Sequence, residues 1–150
     1  PYSVYHTAPF ERDTELSGFF KLSAWLAIDQ PDTDFGVIVY EVRPDGSSIV
    51  LTGDLQRARY RESPRTAKLV TTREPLRYDF DGFTFTSRML RQGSRLRLVV
   101  GPVNSINSQK NYNSGGDVSS ESVRDARTVT VKLYHDRAHP SALFVPVGQP

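Results

Sequence analysis

The sequence predicts an all-β fold, a jelly-roll β-sandwich of about eight strands, and three observations carry that prediction. Apolar residues recur with a period of two along most hydrophobic segments. No segment sustains a 3.6-residue period with helix caps. Turn residues separate the segments at uneven intervals, some tight and one long, from Gly101 to Arg127. Short strands with turn chemistry between them pack as two sheets, and uneven connections favour a jelly roll over a meander.

The elements follow in order. In "KLSAWLAI", Leu22, Ala24, Leu26 and Ile28 share one face, and Ser23, Trp25 and Ala27 the other. The second face carries a tryptophan, so it is not plainly solvated. "FGVIVYEV" is β-branched and aromatic, hence a strand. It enters "RPDGS", where Pro44 presets the first corner of a turn and Gly46 can take the left-handed position that follows. "SIVLTG" then returns antiparallel. "LRYDF" and "FTFTSR" flank Asp81-Gly82, which reads as a second hairpin turn. "MLRQG" suits one helical turn. "SRLRLVV" alternates Leu96 and Leu98 inward with Arg95 and Arg97 outward. A short helix is expected over "SSESVRDAR", then strands over "RTVTVKLYH" and "ALFVPV". The prolines lie at or between strand ends, where a missing N–H does no harm.

A length of 150 residues suggests a single domain, 1–150, large enough for a core without a metal or disulfide staple. There is no cysteine, which excludes thiol catalysis and leaves the redox compartment unreadable. No stretch approaches the ~20 apolar residues of a membrane span, and no signal peptide opens the chain. The chain begins at Pro1 without a methionine, so it is expected to be a piece of a longer polypeptide, with its localisation unknown. Net charge is +2. Between Arg57 and Arg97 stand eleven basic residues against four acidic ones, many at alternating positions as in "RARYR" and "RLRL". That pattern reads as the solvated or interface face of a sheet and argues against nucleic acid as a partner.

The search for chemistry finds no constellation. A hydrolase nucleophile elbow needs G-x-S-x-G, and neither "GSSIV" nor "GSRLR" completes it. His135 and His139 have helical metal-site spacing, but they follow a strand and precede Pro140. A triad of Ser141, His135 and Asp136 fails because adjacent residues on an extended chain face opposite ways. Asp29, Asp32 and Asp34 could cluster oxygens for calcium, yet the spacing is not an EF-hand and Asp is an ordinary turn residue. No cofactor is indicated. "SINSQKNYNSGG" (105–116) lacks the ending that gives a phosphate loop its mechanism. Its asparagines could bond sugars beside a stacking face on Trp25 or Tyr112, which keeps a carbohydrate-binding jelly roll as the alternative. They equally suit turns that bond their own backbone.

Five segments in sequence carry a resemblance. They are "YHTAPFERDTELSG", "DTDFGVIVYEVRPDGSSIVLTGDLQRARYR", "GSRLRLVVGPVNS", "KNYNSGG" and "DARTVTVKLYHDRAHPSALFVPV". Together they resemble the C-terminal non-catalytic domain of the X-Pro dipeptidyl-peptidase / cocaine esterase (CocE/NonD, S15-like) serine hydrolases. The "DTDF…V…DG…G…R…R" string is the most specific part. Departures stand at Gly93-Ser94, where relatives have Gly-His, and at "VNSINSQKNY", where they carry "SNFP". The resemblance implies a galactose-binding-domain-like jelly roll that docks on a catalytic α/β-hydrolase domain, helps shape its pocket entrance and can contribute to homo-oligomer contacts. It implies a parent enzyme acting on X-Pro peptides or acyl esters, with none of the catalytic triad in this segment. Trp25, Asn104, Lys110, Asn111 and Tyr112 are the expected interdomain or pocket-rim contacts.

Overall fold

The computed structural model describes residues 2–103, 113, 115–116 and 128–148. Among them are ten strands: β1 (Ser3–His6), β2 (Thr14–Gly18), β3 (Lys21–Ile28), β4 (Asp34–Val42), β5 (Ser48–Arg57), β6 (Leu76–Phe80), β7 (Thr86–Leu90), β8 (Arg95–Pro102), β9 (Val131–Tyr134) and β10 (Ala142–Phe144). All pairings are antiparallel. One sheet runs β1-β8-β4-β5 and the second β10-β3-β6, while β2 and β7 form a separate ribbon. On the free side of β3, β10 pairs Lys21–Ser23 and β9 pairs Trp25–Ile28, so two short strands share one edge. The all-β sandwich is therefore as predicted, with ten strands in place of about eight. No helix among the described residues is long and apolar enough to cross a membrane.

Period-two patterning places the core. Leu22, Ala24, Leu26 and Ile28 of β3 are buried as the alternation requires, facing Phe35, Val37 and Val39 of β4 and Leu96 and Val100 of β8. Tyr78 of β6 has no exposed surface and meets Phe35 edge to face, with ring centroids 4.8 Å apart. Among the described residues its hydroxyl has no hydrogen-bond partner, and burial pushes its pKa up to about 12. Glu41, on the inward side of β4, is 2% exposed. Arg88 of β7 donates to its carboxylate and Ser94 Oγ lies 3.5 Å away, so this buried charge ties the ribbon to the larger sheet.

The β4–β5 turn forms as read. Gly46 has φ 89°, its N–H bonds Arg43 O at 2.9 Å, and Asp45 Oδ1 accepts from Ser47 N at 2.8 Å. Three local expectations fail. Asp81-Gly82 is not a hairpin turn, because β6 joins β3 whereas β7 joins β2, so the segment crosses between sheets. Gly82 N–H instead donates to Asp54 Oδ2 at 3.0 Å. "MLRQG" makes no helical turn: Met89 and Leu90 finish β7 and a turn follows. "RARYR" is not an alternating strand but the end of β5 and a 3-10 turn, Ala58–Tyr60. The expected helix over 119–127 lies outside the described residues.

Candidate functional site

Three places stand out, and the first two collect site residues that the sequence singled out. The first is the corner where β9 leads into β10. Asp136 Oδ1 accepts from His139 N–H at 2.8 Å and lies 3.0 Å from His139 Nδ1. The His139 ring stands edge to face against both Trp25 and Tyr134, at 5.3 Å each. Asp136 thus serves His139, three residues further on, and not its neighbour His135, whose ring meets Tyr5 of β1 at 5.6 Å. Ser141 Oγ donates to Tyr134 O at 2.5 Å and accepts from Trp25 N–H at 2.9 Å. It bridges the gap that β9 and β10 leave on the edge of β3. A serine whose proton is given to a backbone carbonyl is not held by a base, so the corner is architecture and not a nucleophile site. Trp25 itself is half-buried on the outer side of the second sheet, opposite Arg77 and Tyr134.

The second place is the end of the sandwich around Pro31–Asp34. Asp32 is fully buried and Arg59 is 8% exposed. Asp32 Oδ1 accepts from Arg59 N–H at 2.8 Å, and Asp32 Oδ2 accepts from Arg59 Nε at 2.6 Å. Arg59 Nη2 then donates to Gly116 O at 2.6 Å. Gly115, at φ 85°, is pressed against Pro31 and Leu69, where an added Cβ would sit 3.0 and 2.9 Å from their carbons. Asn113 is buried with φ 69°. Alongside, Arg57 grips Asp34 with two bonds, 2.8 and 3.2 Å, and this carboxylate holds the guanidinium pKa above its ordinary value. Asp29 Oδ1 takes Thr130 N–H at 2.8 Å. The three aspartates considered for calcium therefore serve three separate tasks, and among the described residues no three His, Asp or Glu side chains gather as a metal site. Arg59 is a buried tether and not part of a solvated arginine face, which corrects the alternating reading of "RARYR".

The third place is the face that bears the "RLRL" arginines, read from the sequence as solvated or interface, but its apolar rows were not singled out. On the outer face of the β1-β8-β4-β5 sheet, cross-strand rows run Val4–Val99–Ile38–Gly53 and His6–Arg97–Tyr40–Val50. A further row runs from the Tyr2 ring, which lies on Gly101, across Gly36 to Leu55. Tyr2, Val4, Val50 and Leu55 are exposed, at 58, 49, 62 and 62%. Gly36, Gly53, Leu55 and Val103 line an apolar groove of about 510 Å³. Polar residues stand in the middle row, where Arg97 Nε donates to His6 Nε2 at 2.9 Å and stacks over the Tyr40 ring at 5.7 Å, and at the two ends of the face, in the Asp34–Arg57 and Arg95–Val42–Ser48 rows. The signal for this face was "FGVIVYEV": Gly36, Ile38, Tyr40 and Val42 lie opposite the core positions and none is charged. Of the expected interdomain contacts, Asn104, Lys110, Asn111 and Tyr112 lie outside the described residues.

Comparison with known proteins follows this geometry. Residues 2–143 match the model of the X-Pro dipeptidyl-peptidase C-terminal non-catalytic domain. A cocaine esterase of Rhodococcus sp. is 27% identical over 143 residues, covering 95% of this chain and 25% of that protein. Among solved structures, an aminopeptidase from a marine-sediment Thaumarchaeota archaeon superposes with TM-score 0.91 at 20% identity, over 97% of this chain and 25% of that one. An α-amino acid ester hydrolase superposes with TM-score 0.91 at 20% identity, over 98% of this chain and 25% of that one. The two structural likenesses show the fold. The chain spans about a quarter of the length of each of these relatives.

Proposed function

Since the chain belongs to the family of X-Pro dipeptidyl-peptidase C-terminal non-catalytic domains, we propose that it serves as the accessory domain of an α/β-hydrolase-type serine hydrolase. In that role it docks on the catalytic domain and helps shape the entrance to its pocket. The parent polypeptide acts on acyl compounds, either X-Pro peptides or acyl esters. One observation carries the accessory role. Among the described residues, the serine, histidine and aspartate of the β9–β10 corner, Ser141, His139 and Asp136, are spent on holding that corner. Trp25, Asn104, Lys110, Asn111 and Tyr112 remain the proposed contacts with the catalytic domain or its pocket rim.

The test compares the 150-residue chain with its full-length polypeptide, using p-nitrophenyl esters, Ala-Pro anilides and a serine-directed fluorophosphonate. Turnover and covalent labelling are expected from the full-length protein, with the label on a serine outside this domain. Labelling of Ser141, or turnover by the 150-residue chain that survives contaminant controls, would refute the accessory reading. Glycan binding by that chain with no hydrolase activity upstream would favour a carbohydrate-binding module.

A further inference from the structure

We infer that the preceding part of the same polypeptide seats on the outer face of the β1-β8-β4-β5 sheet. This inference rests on the accessory-domain reading and places the main contact on this face, leaving Trp25, on the outer side of the other sheet, to the pocket rim. The first argument is chemical. A sheet face in water alternates apolar-in with polar-out, but here Val4, Val99, Ile38, Tyr40, Val50, Leu55 and three glycines form a contiguous patch across the middle of all four strands, bordered by the polar Asp34–Arg57 and Arg95–Ser48 ends and interrupted by the His6–Arg97 pair. Scattered apolar residues on a surface need no explanation, whereas a contiguous patch marks a contact.

The second argument is shape. Gly36, Gly53 and Gly101 carry no side chains in the middle of β4, β5 and β8, and the Tyr2 ring lies down over Gly101 and Val103 over Gly36, so the face between Tyr2 and Leu55 is low, apolar and lined by the domain's own side chains. A low apolar surface of this kind suits the packing of another element against it. The third argument is size. Four strands ~4.8 Å apart and rows spanning ~20 Å give a footprint on the order of 400 Å². Counted on both partners, that falls within the ~600–1,500 Å² of interdomain contacts inside one chain.

The fourth argument identifies the occupant. The matched family is a C-terminal domain and the chain spans a quarter of its relatives, so most of such a polypeptide precedes it. The incoming chain reaches the sandwich at β1, an edge strand of this sheet, and Tyr2 already lies across Gly101 on its outer face.

Hydroxyl-radical footprinting of the full-length polypeptide tests the assignment, because the domain carries its own control. Phe19, Phe85 and Phe144 lie off this sheet and are 52, 57 and 63% exposed, close to Tyr2, Val50 and Leu55. Modification of Tyr2, Val50 and Leu55 is expected to fall about fivefold or more below that of the three phenylalanines, after correction for intrinsic reactivity, as water is excluded from an interface centre. Leu55→Lys in the full-length protein should restore the reactivity of Tyr2 and Val50 and leave that of Phe85 unchanged. Equal reactivity of the two sets overturns the inference. Protection of Phe19, Phe85 and Phe144 instead overturns this face and leaves the docking reading standing. Protection of neither set and none of Trp25, in a polypeptide that takes the fluorophosphonate label, removes docking through the described surfaces while leaving a hydrolase parent.

Discussion

The Asp32–Arg59 pair gives the most demanding test of the packing described above. Its side chains are 0 and 9% exposed, and their Nε–Oδ2 separation is 2.6 Å. Breaking a buried pair by removing one member costs ~3–5 kcal/mol, because the other charge stays buried, whereas replacing both with apolar groups is far milder. Asp32→Asn keeps the acceptor for Arg59 N–H but removes the charge facing Nε. Arg59→Met removes the guanidinium and its bond to Gly116 O. Each single variant should lose about 3 kcal/mol, which for a chain of this size lowers Tm by roughly 6–12 °C. The double variant Asp32→Leu/Arg59→Met should lose only about 1–2 kcal/mol, the residue being the backbone bond that Asp32 accepted. Trp25 is the only tryptophan in the sequence, so its fluorescence reports urea unfolding directly. Singles that each lose under about 1 kcal/mol, or a double variant as unstable as the sum of the singles, would refute the buried-tether account.

Three other outcomes follow from single atoms. Tyr78→Phe removes a buried hydroxyl that has no partner among the described residues, so urea unfolding at pH 7 should show it neutral or stabilising by up to about 1 kcal/mol. The folded pKa of Tyr78 is raised to about 12. Its contribution is therefore fully present below the unfolded value near 10 and is lost as pH rises from about 10 to 12, by about 3 kcal/mol. The Phe variant should lack that part of the alkaline decline, and an unchanged decline would contradict it. Gly115→Ala places a Cβ against Pro31 and Leu69 at φ 85° and should lower stability by about 1–3 kcal/mol, read by thermal melting. Ser141→Ala leaves Trp25 N–H without its acceptor and should cost about 1–2 kcal/mol, with faster amide exchange at Trp25 as the specific readout.

The sequence made the strands legible wherever one face alone decides. β3 alternates because one side meets the core, and the β4–β5 turn is written in Pro44 and Gly46. It misled where a local pattern has a distant cause. Asp81-Gly82 has the composition of a hairpin turn, yet strand partners are chosen across the sandwich, by Leu22–Leu26 for β6 and by Thr14–Gly18 for β7. "RARYR" alternates like a strand, but Arg59 turns inward because Asp32, 27 residues earlier, waits there with a buried carboxylate. The candidate site divides in the same way. That the chain carries no nucleophile motif was readable. Of the outer face only the "RLRL" arginines were read as solvated or interface; its apolar rows were not singled out, because they combine residues from four strands and only the Phe35–Tyr40 run of β4 hinted at them.

The string "DTDF…V…DG…G…R…R" is the most specific part of the family resemblance, and its opening residues, with Pro31 before them, hold a structural junction. The long connection leaves β8 at Val103, whose N–H donates to Asp34 O at 2.8 Å. It returns at Gly115–Gly116, where Arg59, held by Asp32, binds Gly116 O and Pro31 packs on Gly115. One four-residue stretch, Pro31–Asp34, thus anchors both ends of the "SINSQKNYNSGG" connection. Fixing the ends of a long loop lowers the conformational entropy it must lose on ordering. Val103 also borders the apolar groove on the outer sheet face, so the same stretch sets where the connection starts relative to the proposed docking surface. Loosening Asp32 and Arg59 should therefore disturb docking through the loop as well as stability, whereas Tyr78→Phe, on the far sheet, should alter stability alone.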